Sequence, residues 1–268
     1  MKLNPFVSLL MVPFSFLYGT AVALRNWLYN RGIKVSHRLD CRVISVGNLS
    51  VGGTGKTPMV ECFARRLHGD GRGVAILSRG YRGKGKGTVI VSDGVNLLVD
   101  DRYAGDEPYL LASRLRSVPV IVNRDRVKGA EKALHRFHSK YLILDDGFQY
   151  RRLQRDLDVV LVDFQSSPQR LLPAGPLREP WRNLRRADLI FLTKCPLPGS
   201  SNWELVAGQK DFLRQFTEAP IVACRHHPVK LVDVKTSGYC SINICDRIRH
   251  CKSHFLDGSA ASFPNVVP

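Results

Sequence analysis

Gly52-Gly53-Thr54-Gly55-Lys56-Thr57, preceded by Ser50-Val51 and followed by Pro58, is a stretch whose residue types and spacing can do chemistry. Closely spaced glycines let several backbone N–H groups converge on one anion. A helix beginning at the lysine adds the partial positive charge of its N-terminus. An amine placed like that of Lys56 reaches the β- and γ-phosphates of a nucleotide, and a hydroxyl placed like that of Thr57 can hold Mg²⁺. Pro58 suits a first helical turn, where its missing N–H leaves no bond unmade. The usual phosphate-loop pattern has glycine where this chain has Ser50, so an ordinary glycine-rich turn competes. The Lys-Thr pair and the flanking elements favour nucleotide binding.

Two acidic positions complement the loop. Asp145-Asp146-Gly147-Phe148-Gln149 ends the apolar run Leu142-Ile143-Leu144. There one carboxylate can bind Mg²⁺ directly or through water, while the other orients it or accepts a proton. Asp-Asp-Gly is also ordinary turn chemistry. Asp106, in Gly105-Asp106-Glu107-Pro108, reads on its residues alone as the N-cap of a helix.

These groups need a scaffold, and the apolar pattern supplies one. A β-rich run at 41–46 precedes the glycine loop. After it Met59, Val60, Phe63, Ala64 and Leu67 fall on one helical face. Further strands are expected at 73–78, 118–122, 141–144, 157–164 and 187–193, with a hairpin over 88–99 around Asp93-Gly94 and a helix from Asp106 through Leu115. Strands alternating with helices predict an α/β fold with a mostly parallel, doubly wound sheet. Lysines and arginines gather where these strands end: Arg79 to Lys86, Arg124 with Arg126 and Lys128, Arg151 to Arg155, and Arg178 to Arg186. In open α/β sheets the carboxyl ends of the strands form the ligand face, so these loops are expected to rim an anion-binding cleft.

The 268 residues carry 40 Lys+Arg against 23 Asp+Glu, a net charge of +17, which implies anionic company. Seven irregularly spaced cysteines do not describe a secreted disulfide scaffold. No zinc-finger, RNP-like or helix-turn-helix signature points to nucleic acid. Residues 3–24 carry no charge and are followed by Arg25, Arg31, Lys34 and Arg38. A cleaved signal peptide and a buried core helix compete here with a membrane-inserted or membrane-lying helix. The last is preferred, with the basic flank keeping the next domain on the cytoplasmic side.

Taken together these stretches resemble the tetraacyldisaccharide 4′-kinases, the lipid A 4′-kinases of Gram-negative envelope synthesis. The resemblance rests on the uncharged N-terminal run, Gly47-Asn48-Leu49-Ser50-Val51-Gly52-Gly53-Thr54-Gly55-Lys56-Thr57, Ser78-Arg79-Gly80-Tyr81, Gly105-Asp106-Glu107-Pro108, Asp145-Asp146-Gly147-Phe148-Gln149 and Pro173-Ala174-Gly175-Pro176-Leu177-Arg178-Glu179. It implies a phosphate-loop fold that holds ATP and Mg²⁺. It also implies transfer of the γ-phosphate to the 4′-hydroxyl of an acylated glucosamine disaccharide 1-phosphate at the cytoplasmic face of the inner membrane. On that resemblance Lys56 and Thr57 serve ATP and Mg²⁺, Asp145 and Asp146 the metal, and Asp106 the deprotonation of the sugar hydroxyl. Arg79, Arg178 and Glu179 would line the substrate or nucleotide face. Residues 1–38 become the membrane-associated segment, 39–225 the kinase domain and 226–268 a remnant of a second lobe.

That last stretch departs from the family. The resemblance implies an Asp-His motif in the second lobe, and none occurs from Thr236 onward. The spacing of Cys240, Cys245, His250, Cys251 and His254 matches no common zinc motif. The resulting expectation is a chain that binds ATP but phosphorylates lipid poorly or not at all, the latter making it a non-catalytic nucleotide-binding remnant. A partitioning-type ATPase is disfavoured because Val51 stands where its signature lysine belongs. A GTPase is disfavoured because Pro196 replaces the guanine-reading aspartate after Thr193-Lys194.

Overall fold

The computed structural model describes residues 5–166 and 169–225, and beyond them only the short strands Lys230–Val232, Tyr239–Ser241, Lys252–Ser253 and Ala261–Ser262. Helices α1 (Pro5–Leu10) and α2 (Val12–Asn30) come first. Then follow β1 (Arg42–Asn48), α3 (Lys56–Gly69), β2 (Val74–Ser78), β3 (Val89–Ser92), the one-turn α4 (Asp101–Ala104) and α5 (Asp106–Arg114). Next are β4 (Val120–Val122), α6 (Arg126–Phe137), β5 (Tyr141–Asp145), β6 (Leu157–Asp163), a 3₁₀ turn at Trp181–Arg186, β7 (Leu189–Thr193), α7 (Glu204–Arg214) and β8 (Ile221–Ala223).

The sheet runs β3-β4-β2-β5-β1-β6-β7-β8, parallel except for β3 at one edge. Strands such as Val74-Ala75-Ile76-Leu77-Ser78 are buried along their whole length because helices cover both faces. Ile44 and Ile76 meet Val60, Phe63 and Leu67 of α3 on one face, while Val43, Ala75 and Leu77 meet Val127, Ala130 and Ala133 of α6 on the other. β1 lies between β5 and β6, with Val46 level with Asp145. The loop after β1 therefore opens beside the acidic turn after β5.

The hairpin over 88–99 is only half formed. The Asp93 carboxylate accepts from the amides of Val95 and Asn96 and makes the turn, but the return arm is reduced to a bridge between Ser92 and Leu97. The basic rim is also narrower than its sequence suggested. After Asp146 the chain runs without a helix to the amino edge of β6, so Arg155 pairs with Asp158 at 2.8 Å, far along the strand from the cleft side. Arg151 donates instead to the Asn26 carbonyl and the Asn30 side chain of α2. Arg126 is buried inside the fold.

The N-terminal helices dock by one stripe. Ser15 donates to the Leu171 carbonyl (2.9 Å) and accepts from the Ala174 amide (3.0 Å), and Tyr18 donates to the Arg178 carbonyl (2.9 Å). Ser15, Val22 and Asn26 are buried at helical spacing, whereas Phe14, Phe16, Leu17 and Leu24 on the outer faces stay exposed, Phe16 by 76%. No described helix is long and apolar enough to cross a membrane. With those outer faces exposed, the segment is not a buried core helix.

Glu179 marks the other end of the dock. Expected at the substrate or nucleotide face, it is instead fully buried, where Arg25 of α2, Arg186 and Asn183 all donate to its carboxylate. The guanidinium of Arg186 also lies 4.2 Å from the Phe148 ring centroid. A charge this deep holds only because both carboxylate oxygens are met by donors, and removing it strands two arginines. Glu179→Ala is expected to cost about 3 kcal/mol of stability, read by urea unfolding. A change within error would show that the buried network carries no load.

Candidate active site

The glycine loop leaves β1 and is pinned at both shoulders. Ser50 forms a bridge to Leu177, and the Val51 amide donates to the Pro176 carbonyl at 2.8 Å. Within the loop, the Thr54 hydroxyl accepts from the Asn48 side-chain amide (2.8 Å), and Thr193 at the end of β7 donates to the Thr54 carbonyl (3.0 Å). Thr54 is thus buried and braces the loop, while Gly52 and Gly53 are exposed with open space beside them. Gly55 caps α3 in the left-handed region (φ +90°), which only glycine adopts cheaply, and contributes no side-chain bond. No side chain of the N-cap shields the first amides of α3, a geometry suited to phosphate oxygens. Lys56 and Thr57 stand in that first turn, half-buried.

The acidic pair divides into two environments. Asp145 ends β5 and is 2% exposed. Ser78 of β2 donates to one of its oxygens at 2.9 Å, and the other buried oxygen has no partner. Burial and the nearby Glu107 charge, partly offset by the Ser78 hydrogen bond, push its pKa up to about 6. Asp146 takes a left-handed backbone (φ +52°) and turns the other way. Arg178 grips its carboxylate with two bonds of 2.8 Å, and Lys56 lies 3.8 Å away. Burial alone would raise this acid too. The Arg178 hydrogen bonds and charge, with Lys56 and Arg126, overcome burial and bring it down to about 2.

The donor set suits a small hard cation. A buried carboxylate oxygen lacking a partner, a second carboxylate and a hydroxyl at Thr57 are all oxygen ligands. Among the described residues no three His, Cys, Asp or Glu converge as a complete cage. Mg²⁺ bound with phosphates needs only one or two carboxylates, so the residues fit it.

Asp106 does not cap its helix. Gly105 holds that place at φ +89° without a side-chain bond, and the capping acid is Asp100, which accepts from the Tyr103 amide ahead of α4. A Cβ on Gly105 would come within 2.5 Å of the Tyr81 carbonyl oxygen, so the glycine allows the loop after β2 to lie against the start of α5. Lys84 and Gly85 bond the carbonyls of Arg102 and Tyr103 there. That contact brings the basic loop, with exposed Arg79 at its root, beside an exposed Asp106.

Arg178 joins the phosphate loop to the acidic turn, since it also donates to the Asn48 carbonyl and side chain. Glu107, Ser78 and Asn48 belong to the site although their sequence offered them no role. Glu107 stood inside the Gly-Asp-Glu-Pro stretch, one residue and about 100° of helix from Asp106. The side chains of residues 226–268, including the Asp-His and cysteine-histidine questions, lie outside the described residues.

The profile of the tetraacyldisaccharide-1-phosphate 4′-kinase family matches residues 7–248. The chain belongs to that family. The match runs past Thr236, beyond the last stretch in which family motifs are readable. Among curated relatives, the tetraacyldisaccharide 4′-kinase of Aquifex aeolicus is 51% identical over 183 residues, 68% of this chain and 58% of the relative. That of Chlorobaculum tepidum is 41% identical over 240 residues, 87% of this chain and 67% of the relative. A crystal structure of LpxK from Aquifex aeolicus in complex with ATP shares the fold with a TM-score of 0.70 at 43% identity, covering 81% of this chain and 64% of that one. The chain therefore spans roughly half to two thirds of the length of the kinases it resembles.

The split carboxylates make a pH prediction. An aspartate ionises near 3.9 in an unfolded chain. The folded Asp145 keeps its proton to about 6, so stability falls as pH rises between those values and then levels off. Asp145→Asn should therefore stabilise the cation-free protein above pH 6, by on the order of 2–3 kcal/mol, and not at pH 4. Thermal melts at pH 4 and pH 8 without divalent cations read the difference. An equal gain at both would refute the assignment.

Proposed function

We propose that this chain binds ATP with Mg²⁺ and transfers the γ-phosphoryl group to the 4′-hydroxyl of a tetraacylated glucosamine disaccharide 1-phosphate. The observation that carries the reading is the joining of the unshielded N-terminus of α3 to the Asp145–Asp146 turn through Lys56 and Arg178, in a chain of this kinase family. Backbone amides of Gly53 to Thr57 and the Lys56 amine receive the β- and γ-phosphates. Thr57, Asp145 and Asp146 would hold Mg²⁺, which neutralises phosphate charge when bound.

Asp106, exposed at the first turn of α5, accepts the proton of the attacking sugar hydroxyl. The new bond forms between the 4′-oxygen and the γ-phosphorus while the bond to the ADP oxygen breaks in line. Arg79 and its loop present positive charge to an acceptor that already carries phosphate.

Transfer of labelled phosphate to tetraacylated disaccharide 1-phosphate in detergent micelles tests the reaction. Lys56→Ala and Asp106→Ala should each lower transfer by about 100-fold or more, and only Lys56→Ala should also weaken ATP binding. Transfer indifferent to both substitutions would overturn the mechanism.

The exposed Phe14, Phe16, Leu17 and Leu24 of α2, with the exposed Arg31, Lys34 and Arg38 that follow its C-terminal end, support a peripheral seat on the anionic cytoplasmic leaflet of the inner membrane. Phe16→Glu with Leu17→Glu is expected to reduce co-sedimentation with anionic vesicles by about tenfold while leaving ATP binding intact. Unchanged sedimentation would assign those side chains elsewhere.

A further inference from the structure

Arg126 is the first residue of α6, and its side chain runs inward to a guanidinium in a residue only 3% exposed. Among the described residues no carboxylate oxygen meets it. One terminal nitrogen donates to the Asp145 carbonyl at 2.8 Å, the other to the Asp146 carbonyl at 2.9 Å. The Tyr150 ring lies 5.2 Å away, and the Tyr150 hydroxyl accepts from the Arg126 amide and donates to Asp125.

For stability alone this is a poor arrangement, because a buried cation without a direct anionic partner costs more than an apolar side chain of similar volume. Its geometry matches one need. Asp146 has a left-handed backbone that non-glycine residues avoid, and the two successive carbonyls there face the same guanidinium. A planar fork with parallel donors takes both at once, which a lysine ammonium cannot do with the same directional constraint. Asp145 and Asp146 have their side chains on opposite business, toward Ser78 and toward Arg178 with Lys56, so the turn between them decides where both carboxylates point.

We propose that Arg126 is a positioning residue whose guanidinium locks the carbonyls of the Asp145–Asp146 turn and so holds both carboxylates ready for a divalent cation bound with nucleotide. It touches neither cation nor phosphate and acts through the backbone of the acids that do. The proposal rests on the Mg²⁺-nucleotide reading of the site.

The test is equilibrium binding of a fluorescent ATP analogue, titrated with Mg²⁺ and repeated in EDTA, for the full chain and its Arg126→Lys and Arg126→Met variants. Arg126→Lys keeps the charge and the stem but loses the fork, and it decides the matter if Arg126→Met does not fold. Outer-shell partners of metal ligands are commonly worth 10–100-fold in metal affinity. The Mg²⁺ midpoint should rise by about tenfold or more, while affinity in EDTA stays within about twofold. An unchanged midpoint in a folded variant overturns the proposal. So does an equal loss with and without Mg²⁺, which would make Arg126 a support of the fold only. If the unsubstituted chain shows no Mg²⁺-dependent tightening, the nucleotide reading falls first, and that control separates the two failures.

Discussion

Two carboxylates on successive residues repel one another, and at the end of β5 they do so where water is scarce. The chain relieves the conflict by bending sharply at Asp146, so that Asp145 goes into the sheet beside Ser78 and Asp146 goes out to Arg178 and Lys56. One acid is left with a pKa near 6 and the other near 2. One buried oxygen of Asp145 is left without a hydrogen-bond partner. The loop depends on the same turn. β1 pairs directly with β5, and Lys56 and Arg178 tie the first turn of α3 and Asn48 to Asp146.

Adjacent residues carry this organisation outward. Arg178 faces the cleft and Glu179 faces away from it, buried against Arg25 of α2. Tyr18 bonds the carbonyl of Arg178 itself. The helix with an exposed apolar face is therefore fastened to the segment that clamps the acidic turn.

The fold was largely legible in the sequence because its strands are short, apolar and separated by helical periods, and the phosphate loop was legible because few turns need glycines followed by Lys-Thr. Contacts between distant residues were not. Nothing in the spacing tells that Arg126 points inward and Arg79 outward, since both follow strands and carry the same charge. Glu179 looked like a cleft residue because it follows Arg178, yet alternation along an extended segment turns neighbours to opposite sides. Arg155 looked like part of the rim because the loop after β5 was expected to stay at that end of the sheet, whereas it crosses to the other edge. Asp106 resembled a cap, and the close approach at Gly105 freed it.

The most direct measurement is a crystal structure of the chain with Mg²⁺ and a non-hydrolysable ATP analogue. The account predicts β- and γ-phosphates on the amides at the start of α3 and on Lys56. It also predicts the cation at about 2.1 Å from a ligand oxygen of the acidic turn, with the second oxygen of Asp145 no longer without a partner. A triphosphate bound elsewhere, or a cation that leaves both Asp145 and Asp146 in their present contacts, would contradict it.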